Sequence, residues 1–357
     1  MKEVICNLHN HTIYSDGTGT FASVAQAAIR QGVNVVIVTD HNILVKGVES
    51  YFESAGKRTL VLTGEEVHDQ DRRPQKNHTL VIGARKEMAR FASNPQELFD
   101  QVNANGGSAF LAHPNEYDLP MFHEPDISWV SWDVDGFTGM ELWNGFSEFK
   151  TYARTIPRLS FYAFFPEFIA HGPHPATLKK WDELLSMGKK VFAVGGSDAH
   201  ALDFHKGFFR KTVFPYDFHF SAINNHLLVD NDLVGDVGAD AKQVYYALKH
   251  GRSFVGYDLP CSTKGFSFTL ETDDQVGQLG DTVQLKRGGT LRVHTPAKAD
   301  IEIVHDGKVF KSAKDSSALV VTVTERGYYR VQCTIDFLGK KRGWIYSNPI
   351  FCTASSA

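Results

Sequence analysis

Two histidines one residue apart, His9 and His11 in NLHNHTIYSDG, stand near the start of the sequence, and side chains of the same chemical kind recur along it. Asp40 and His41 follow the apolar run VNVVIV, Glu65 and Glu66 close on TLVLTG, His113 follows SAFLA, and Asp198 and His200 follow KVFAVGGS. Imidazole and carboxylate together suit Zn, Mn or Fe, and one carboxylate can bridge two ions about 3.5–4 Å apart. With Asp16 and His78 the candidate ligands are His9, His11, Asp16, His41, Glu66, His78, His113, Asp198 and His200. One histidine near a strand end is usually a hydrogen-bonded structural residue, and His68, His123, His171, His174, His219, His226 and His250 are read that way. So many coincident placements are explained most simply by a metal cluster. Water activated by metal needs no serine or cysteine nucleophile, so Ser15 and Ser197 are read as turn residues.

The elements that must position these groups form an alternating series. Strands are expected at 3–8, 33–38, 59–64, 78–83, 108–113, 136–144, 190–196 and 211–215, with helices after Thr20, near 95–105 and over about 175–187. Thr20 can cap a helix whose apolar positions Phe21, Val24, Ala25 and Ala28 share one face, with Gly32 just past its end. Such alternation predicts an α/β chain with a (β/α) barrel over residues 1–260, whose strand C-terminal ends carry the site. After residue 265 the texture changes to period-two runs, with Asp306-Gly307 as a hairpin turn. Residues 265–357 are therefore expected to form a small antiparallel β-sandwich.

The composition narrows the function. The chain has 357 residues, 42% of them hydrophobic and 22% charged, with 37 Lys plus Arg against 41 Asp plus Glu and a net charge of −4. That balance argues against extended nucleic acid or an anionic membrane as partner and for a small-molecule substrate; it leaves the oligomeric state undecided. Cys6, Cys261, Cys333 and Cys352 form no CxxC pair and read as reduced thiols. With no leader-length or membrane-spanning apolar run, the expected location is the cytoplasm. Of the 16 histidines only His294 and His305 lie beyond residue 265, so the chemistry belongs to the first part of the chain.

The segments NLHNHTIYSDG, VTDHN, GEEVH, LAHP and GSDAH, in that order, resemble the successive motifs of the PHP (polymerase and histidinol phosphatase) superfamily. The resemblance implies a distorted (β/α)7 barrel holding two or three divalent ions (Mn, Zn or Fe). It implies that His9, His11, Glu66 and Asp198 hold one ion, that Glu66 bridges to a second held by His78 and His113, and that Asp16, His41 and His200 hold a third. Glu66 fits the family's Gly-x-Glu-hydrophobic pattern, which leaves Glu65 as a neighbour of the cluster or exposed, and His68 competes with His78. GMELWNG, YYALKHGRSFVG and the C-terminal β region are similar to the carbaryl-hydrolase-type metallohydrolases, the CehA/McbA branch.

The implied activity is a metal-dependent hydrolase, a phosphoesterase first and a carboxylic or carbamic ester hydrolase as the alternative. A binding protein with a non-catalytic barrel is a further alternative. His205 is the candidate acid for the leaving group and Arg210, beside Lys206 and Lys211, the candidate phosphate contact. The aromatic stretch from Trp129 to Phe168 is expected to supply core packing for most of its rings and a lid with an apolar pocket for the rest.

Overall fold

The computed structural model describes residues 1–206 and 209–354, with side chains for all of these except 204–206 and 209–211. The first part is a mixed α/β fold, with β1 (Lys2–Leu8), α1 (Phe21–Gln31), β2 (Val35–Val38), β3 (Ser50–Ser54), β4 (Lys57–Val67) and β5 (Thr79–Ile82). Then come α2 (Pro95–Ala104), β6 (Ser108–Leu111), β7 (Gly139–Asn144), α3 (Gly145–Tyr152), α4 (Ile156–Phe164), α5 (Pro175–Ser186) and β8 (Phe192–Gly196). β9 (Leu202–Lys206), β10 (Phe209–Val213), α6 (Tyr216–Ala222), β11 (Ile223–Val229), α7 (Val237–Lys249) and β12 (Ser253–Tyr257) complete it. α1 forms for the local reasons the sequence suggests. The Thr20 hydroxyl accepts from the Ser23 N–H at 3.2 Å, and Gly32 takes the left-handed φ of 74° that ends the helix at little steric cost.

Parallel pairs β1–β2–β4 and β6–β7–β8 form the centre of the sheet. They are joined by antiparallel β4–β5–β6, and on the other side β11 pairs antiparallel with β1 and β12 antiparallel with β11. Val35, Val36, Ile37, Val38, Leu60, Val61 and Leu62 are buried on both sheet faces, which is why these strands read as continuous apolar runs. Between β8 and β11 a side chain replaces the backbone ladder. The Asn225 amide accepts from the Gly195 N–H and donates to the Gly195 carbonyl, both at 2.8 Å.

The expected strand at 211–215 is placed differently. Residues up to Val213 belong to β10, which pairs with β9 in a separate two-stranded sheet. The neighbour of β1 is INNHLLV, whose buried Asn224, Asn225 and His226 interrupt the apolar run that would have revealed it.

The last part has strands and no helix among the described residues: β13 (Ser267–Glu271), β14 (Val276–Gly277), β15 (Thr282–Gln284), β16 (Gly289–His305), β17 (Lys308–Val323), β18 (Gly327–Phe337), β19 (Lys340–Ser347) and β20 (Ile350–Thr353). β16 and β17 turn at Asp306 and Gly307, both at positive φ as a tight hairpin requires. Phe268, Leu270, Leu291, Val293, Ile301, Tyr329, Val331 and Trp344 share an apolar core there. β19 also pairs antiparallel with β12 (Phe254↔Ser347), so hydrogen-bonded strands run across residue 260. Arg330 forks onto the Asp182 carboxylate of α5 at 2.7 and 2.8 Å. No helix is long and apolar enough to cross a membrane among the described residues.

Candidate metal centre

β4 alternates its side chains, so Glu65 and Glu66 face opposite ways. Glu65 accepts from the Met88 N–H at 2.9 Å, and burial raises its pKa to about 7. Glu66 points into the histidine cluster. Its Oε1 lies 2.8 Å from His78 Nδ1 and 2.9 Å from His113 Nε2. Its Oε2 lies 3.1 Å from His9 Nε2, 3.2 Å from His11 Nε2 and 3.1 Å from His41 Nδ1. Burial opposes its charge, but the facing His9, His41 and His78 outweigh that and hold the carboxyl well below the usual range.

Asp198, at the end of β8, lies 3.5 Å from His9 Nε2 and 3.3 Å from His11 Nε2. Asp16 is the exposed member, 3.2 Å from His200 Nε2 and 3.5 Å from His41 Nε2. All nine candidates thus converge at one end of the sheet. Their ligand atoms fall into overlapping sets within 4.8 Å, including His9, His11 and Glu66; Glu66, His78 and His113; His9, His113 and Asp198; and His11, Asp16, His41 and His200. The side chains of His205 and Arg210 lie outside the described residues; their backbones pair across β9 and β10.

Whether these residues suit metal ions can be tested on their hydrogen bonds. Buried polar atoms are normally paired. Yet His9 Nε2, His11 Nε2, His41 Nδ1, His78 Nε2, His113 Nδ1 and Glu66 Oε2 are buried and make no hydrogen bond. Atoms bound tetrahedrally at about 2.0–2.1 Å from one ion stand roughly 3.3–3.4 Å apart, close to the separations around Glu66 and Asp198. The donor set and its spacing fit divalent ions.

The rings are aimed from outside the cluster. His9 Nδ1 donates to Glu141 Oε1 at 2.7 Å, which leaves Nε2 with its lone pair turned inward. Glu141 Oε2 accepts from the His113 N–H at 2.7 Å and from Asn144 at 3.0 Å, so one buried carboxylate braces two candidate ligands. A Cβ on Gly196 would fall 1.7 Å from Glu141 Oε1, and the missing side chain makes that approach possible. His200 Nδ1 donates to the Asp198 carbonyl at 2.9 Å, leaving Nε2 towards Asp16. Asp40 does not face the rings; it accepts from Thr12 N–H, Thr12 Oγ1 and Ser15 Oγ, each at 2.7 Å, and ties down the loop bearing His11 and Asp16. His9, His113 and Asp198 hold positive φ values of 65°, 28° and 53°, a strained conformation typical of functional positions.

Two residues outside the nine candidates join the site, Glu141, which was not expected there, and His68, expected only as a competitor of His78. Glu141 lies within a fully buried strand between apolar Met140 and Leu142, and that contrast in GMELWNG was its only signal. His68 stacks on His78 at 4.3 Å and forms a further set with His41 and His78. Burial, helped by His78, lowers its pKa to about 3, so it stays a neutral imidazole.

Among solved structures, the chain is similar to a two-domain protein from Bacteroides vulgatus ATCC 8482, described as containing a predicted PHP-like metal-dependent phosphoesterase. Identity is 13%, the TM-score is 0.43, and 98% of this chain and 95% of that one are covered. It is also similar to a candidate metal-dependent phosphoesterase from Bifidobacterium adolescentis ATCC 15703, at 15% identity and a TM-score of 0.34, over 55% of this chain and 87% of that one. Comparison with curated proteins finds no match. Residues 7–110, which carry His9, His11, Asp16, His41, Glu66 and His78, match the family model of the PHP domain.

Proposed function

We propose that the protein is a metal-dependent hydrolase of the PHP type, a phosphoesterase acting on a small phosphorylated substrate. The observation that carries this reading is the set of buried, unbonded ring nitrogens gathered on Glu66 at 3.1–3.2 Å. In this reading residues 1–260 form a distorted (β/α)7 barrel and residues 265–357 a β-sandwich, and the Asn225 bridge between β8 and β11 supports closure of the first.

His9, His11, Glu66 and Asp198 would hold one ion, Glu66 with His78 and His113 a second, and Asp16 with His41 and His200 a third. Bound there, divalent ions would supply hydroxide near neutral pH and positive charge for oxygen atoms of the substrate. The protein holds Glu66 and Asp198 ionised, turns His9 and His200 inward, and buries His9, His11, His78 and His113. Asp16, the exposed member, marks the side from which substrate enters. His205 and Arg210 remain the proposed acid and phosphate contact.

A carboxylic or carbamic ester hydrolase is the second reading, favoured by the Phe146 ring 5.7 Å from that of His200. Protein loaded with manganese, zinc or iron should hydrolyse p-nitrophenyl phosphate faster than p-nitrophenyl acetate; the reverse order selects the second reading. Less than one ion per chain after loading, with neither ester hydrolysed, overturns both.

A further inference from the structure

Beside the cluster lies a cavity of about 310 Å³, large enough for a small organic group. Phe146 from α3, Leu159 and Phe164 from α4, Val213 from β10 and the adjoining Phe214 supply much of its wall. No cationic side chain lines it among the described residues. Its two carboxylates are engaged elsewhere, Glu124 with Lys150 at 2.6 Å and Asp203 with the Thr212 hydroxyl at 2.7 Å. A phosphate or a sugar would lose its water there for little in return, whereas a hydrocarbon ring would gain by leaving water.

Two links join this cavity to the cluster. The Phe146 ring lies 5.7 Å from the His200 ring. Lys150 Nζ contacts both Glu124 in the cavity wall and Glu116, each at 2.6 Å, and Glu116 Oε2 lies 3.5 Å from His113 Nδ1. One ring, that of Phe146, thus stands between the cavity and His200, and a relay of charged groups through Lys150 and Glu116 connects its wall to His113.

Resting on the hydrolase reading, we propose that this cavity is the subsite for the organic group of the substrate, and that this group is uncharged and apolar, a ring or a branched hydrocarbon. The substrate is then an ester of an apolar alcohol rather than a sugar phosphate or a nucleotide.

Benzyl phosphate and glycerol 2-phosphate both release alkyl alcohols, so their comparison reads the organic group with little bias from the leaving group. Manganese-loaded protein should favour benzyl phosphate in kcat/KM by roughly 10–200-fold, the range one apolar pocket contact provides. Should only carboxylic esters be hydrolysed, benzyl acetate and ethyl acetate serve as the pair. Ala163→Trp, which fills the cavity, should remove most of that preference while sparing the smaller ester. Phe164→Ala, at a largely exposed ring, should weaken it in a chain that folds normally. A direct readout is p-cresol binding by saturation-transfer NMR, expected for the parent protein and lost in Ala163→Trp. Equal kcat/KM for the two esters, or no p-cresol signal, overturns the proposal. If no ester of any kind is hydrolysed, the hydrolase reading fails, and p-cresol binding alone then decides whether the cavity takes apolar groups.

Discussion

Among the described residues, two buried groups of histidine and carboxylate are built in opposite ways. At His226 both ring nitrogens are satisfied, Nδ1 by Glu3 at 2.6 Å and Nε2 by Asp258 at 3.1 Å and Thr263 at 2.8 Å, and the ring stacks on Phe254 at 4.6 Å. Around Glu66, His9, His11 and His41 turn unbonded nitrogens to one carboxylate oxygen. Burial and the presence of acids are common to both, so neither identifies function. The unmet hydrogen-bonding capacity does, because an unsatisfied buried polar group costs about 1–3 kcal/mol, and Glu66 Oε2 with His9 Nε2, His11 Nε2 and His41 Nδ1 brings four of them together.

The contrast breaks most clearly at Glu66. Glu66→Gln should lower metal affinity by more than the roughly 10–100-fold typical of an outer-shell change. It should also abolish the rise in Tm that saturating metal gives the parent protein. Isothermal titration and thermal melts with and without manganese measure both, and an unchanged affinity would refute the cluster.

At His226 the expected loss is of stability instead. His226→Phe should cost about 3 kcal/mol in denaturant unfolding, as for one partner removed from a buried ion pair, with metal content unchanged. Burial lowers the pKa of His226, but hydrogen bonds and charge from Asp258 and Glu3 prevail and raise it to about 9. The histidine is therefore more readily protonated folded than unfolded, where its pKa is about 6.5. Its stabilisation is complete below about pH 6.5 and disappears as pH rises through about 9. The parent protein should lose stability over that window and the variant should lose less, as urea titrations at pH 6 and pH 9.5 would reveal.

Glu141 sharpens the comparison, since it is well bonded and yet serves the unbonded group. Glu141→Gln should weaken metal binding by about 10–100-fold, because the amide keeps one acceptor oxygen and turns a donating NH2 either to His9 Nδ1 or to the His113 N–H and Asn144, so that one brace is lost. Competition with a chelator measures this, and an effect confined to Tm would make Glu141 merely structural. Gly196→Ala, which crowds Glu141 Oε1, should move metal affinity in the same direction by a smaller factor. Equal affinity in Gly196→Ala and the parent would show that the brace tolerates displacement.

Much of this arrangement was legible in the sequence, because ligand types at the ends of apolar runs are a local pattern. α1 with its caps and the turn at Asp306-Gly307 were legible for the same reason. What escaped depends on partners distant in the chain. β11 was hidden by Asn224, Asn225 and His226, each of which is polar because it bonds to other segments. Glu141 resembled an apolar strand's odd residue until His9 and the His113 backbone were placed beside it. His68 was weighed only as a competitor of His78, because its strand-end position says nothing of the ring it stacks on. In the stretch from Trp129 to Phe168, core and surface rings were mixed in a way composition could not sort: Trp129, Phe137 and Trp143 are buried, while Phe161, Phe164 and Phe165 are exposed.

The pairing of β12 with β19 has a practical consequence for anyone dividing the chain. Cutting after residue 260 would strip β12 of its β19 neighbour and leave Phe254, Val255 and Gly256 along an open strand edge. Bare edges of that kind recruit other chains, so the shortened protein is expected to associate with itself even where its histidine cluster is intact. The β-rich end is thus expected to protect the part that holds the histidine cluster from self-association, and residue 260 is a change of texture along the chain more than a place to separate it.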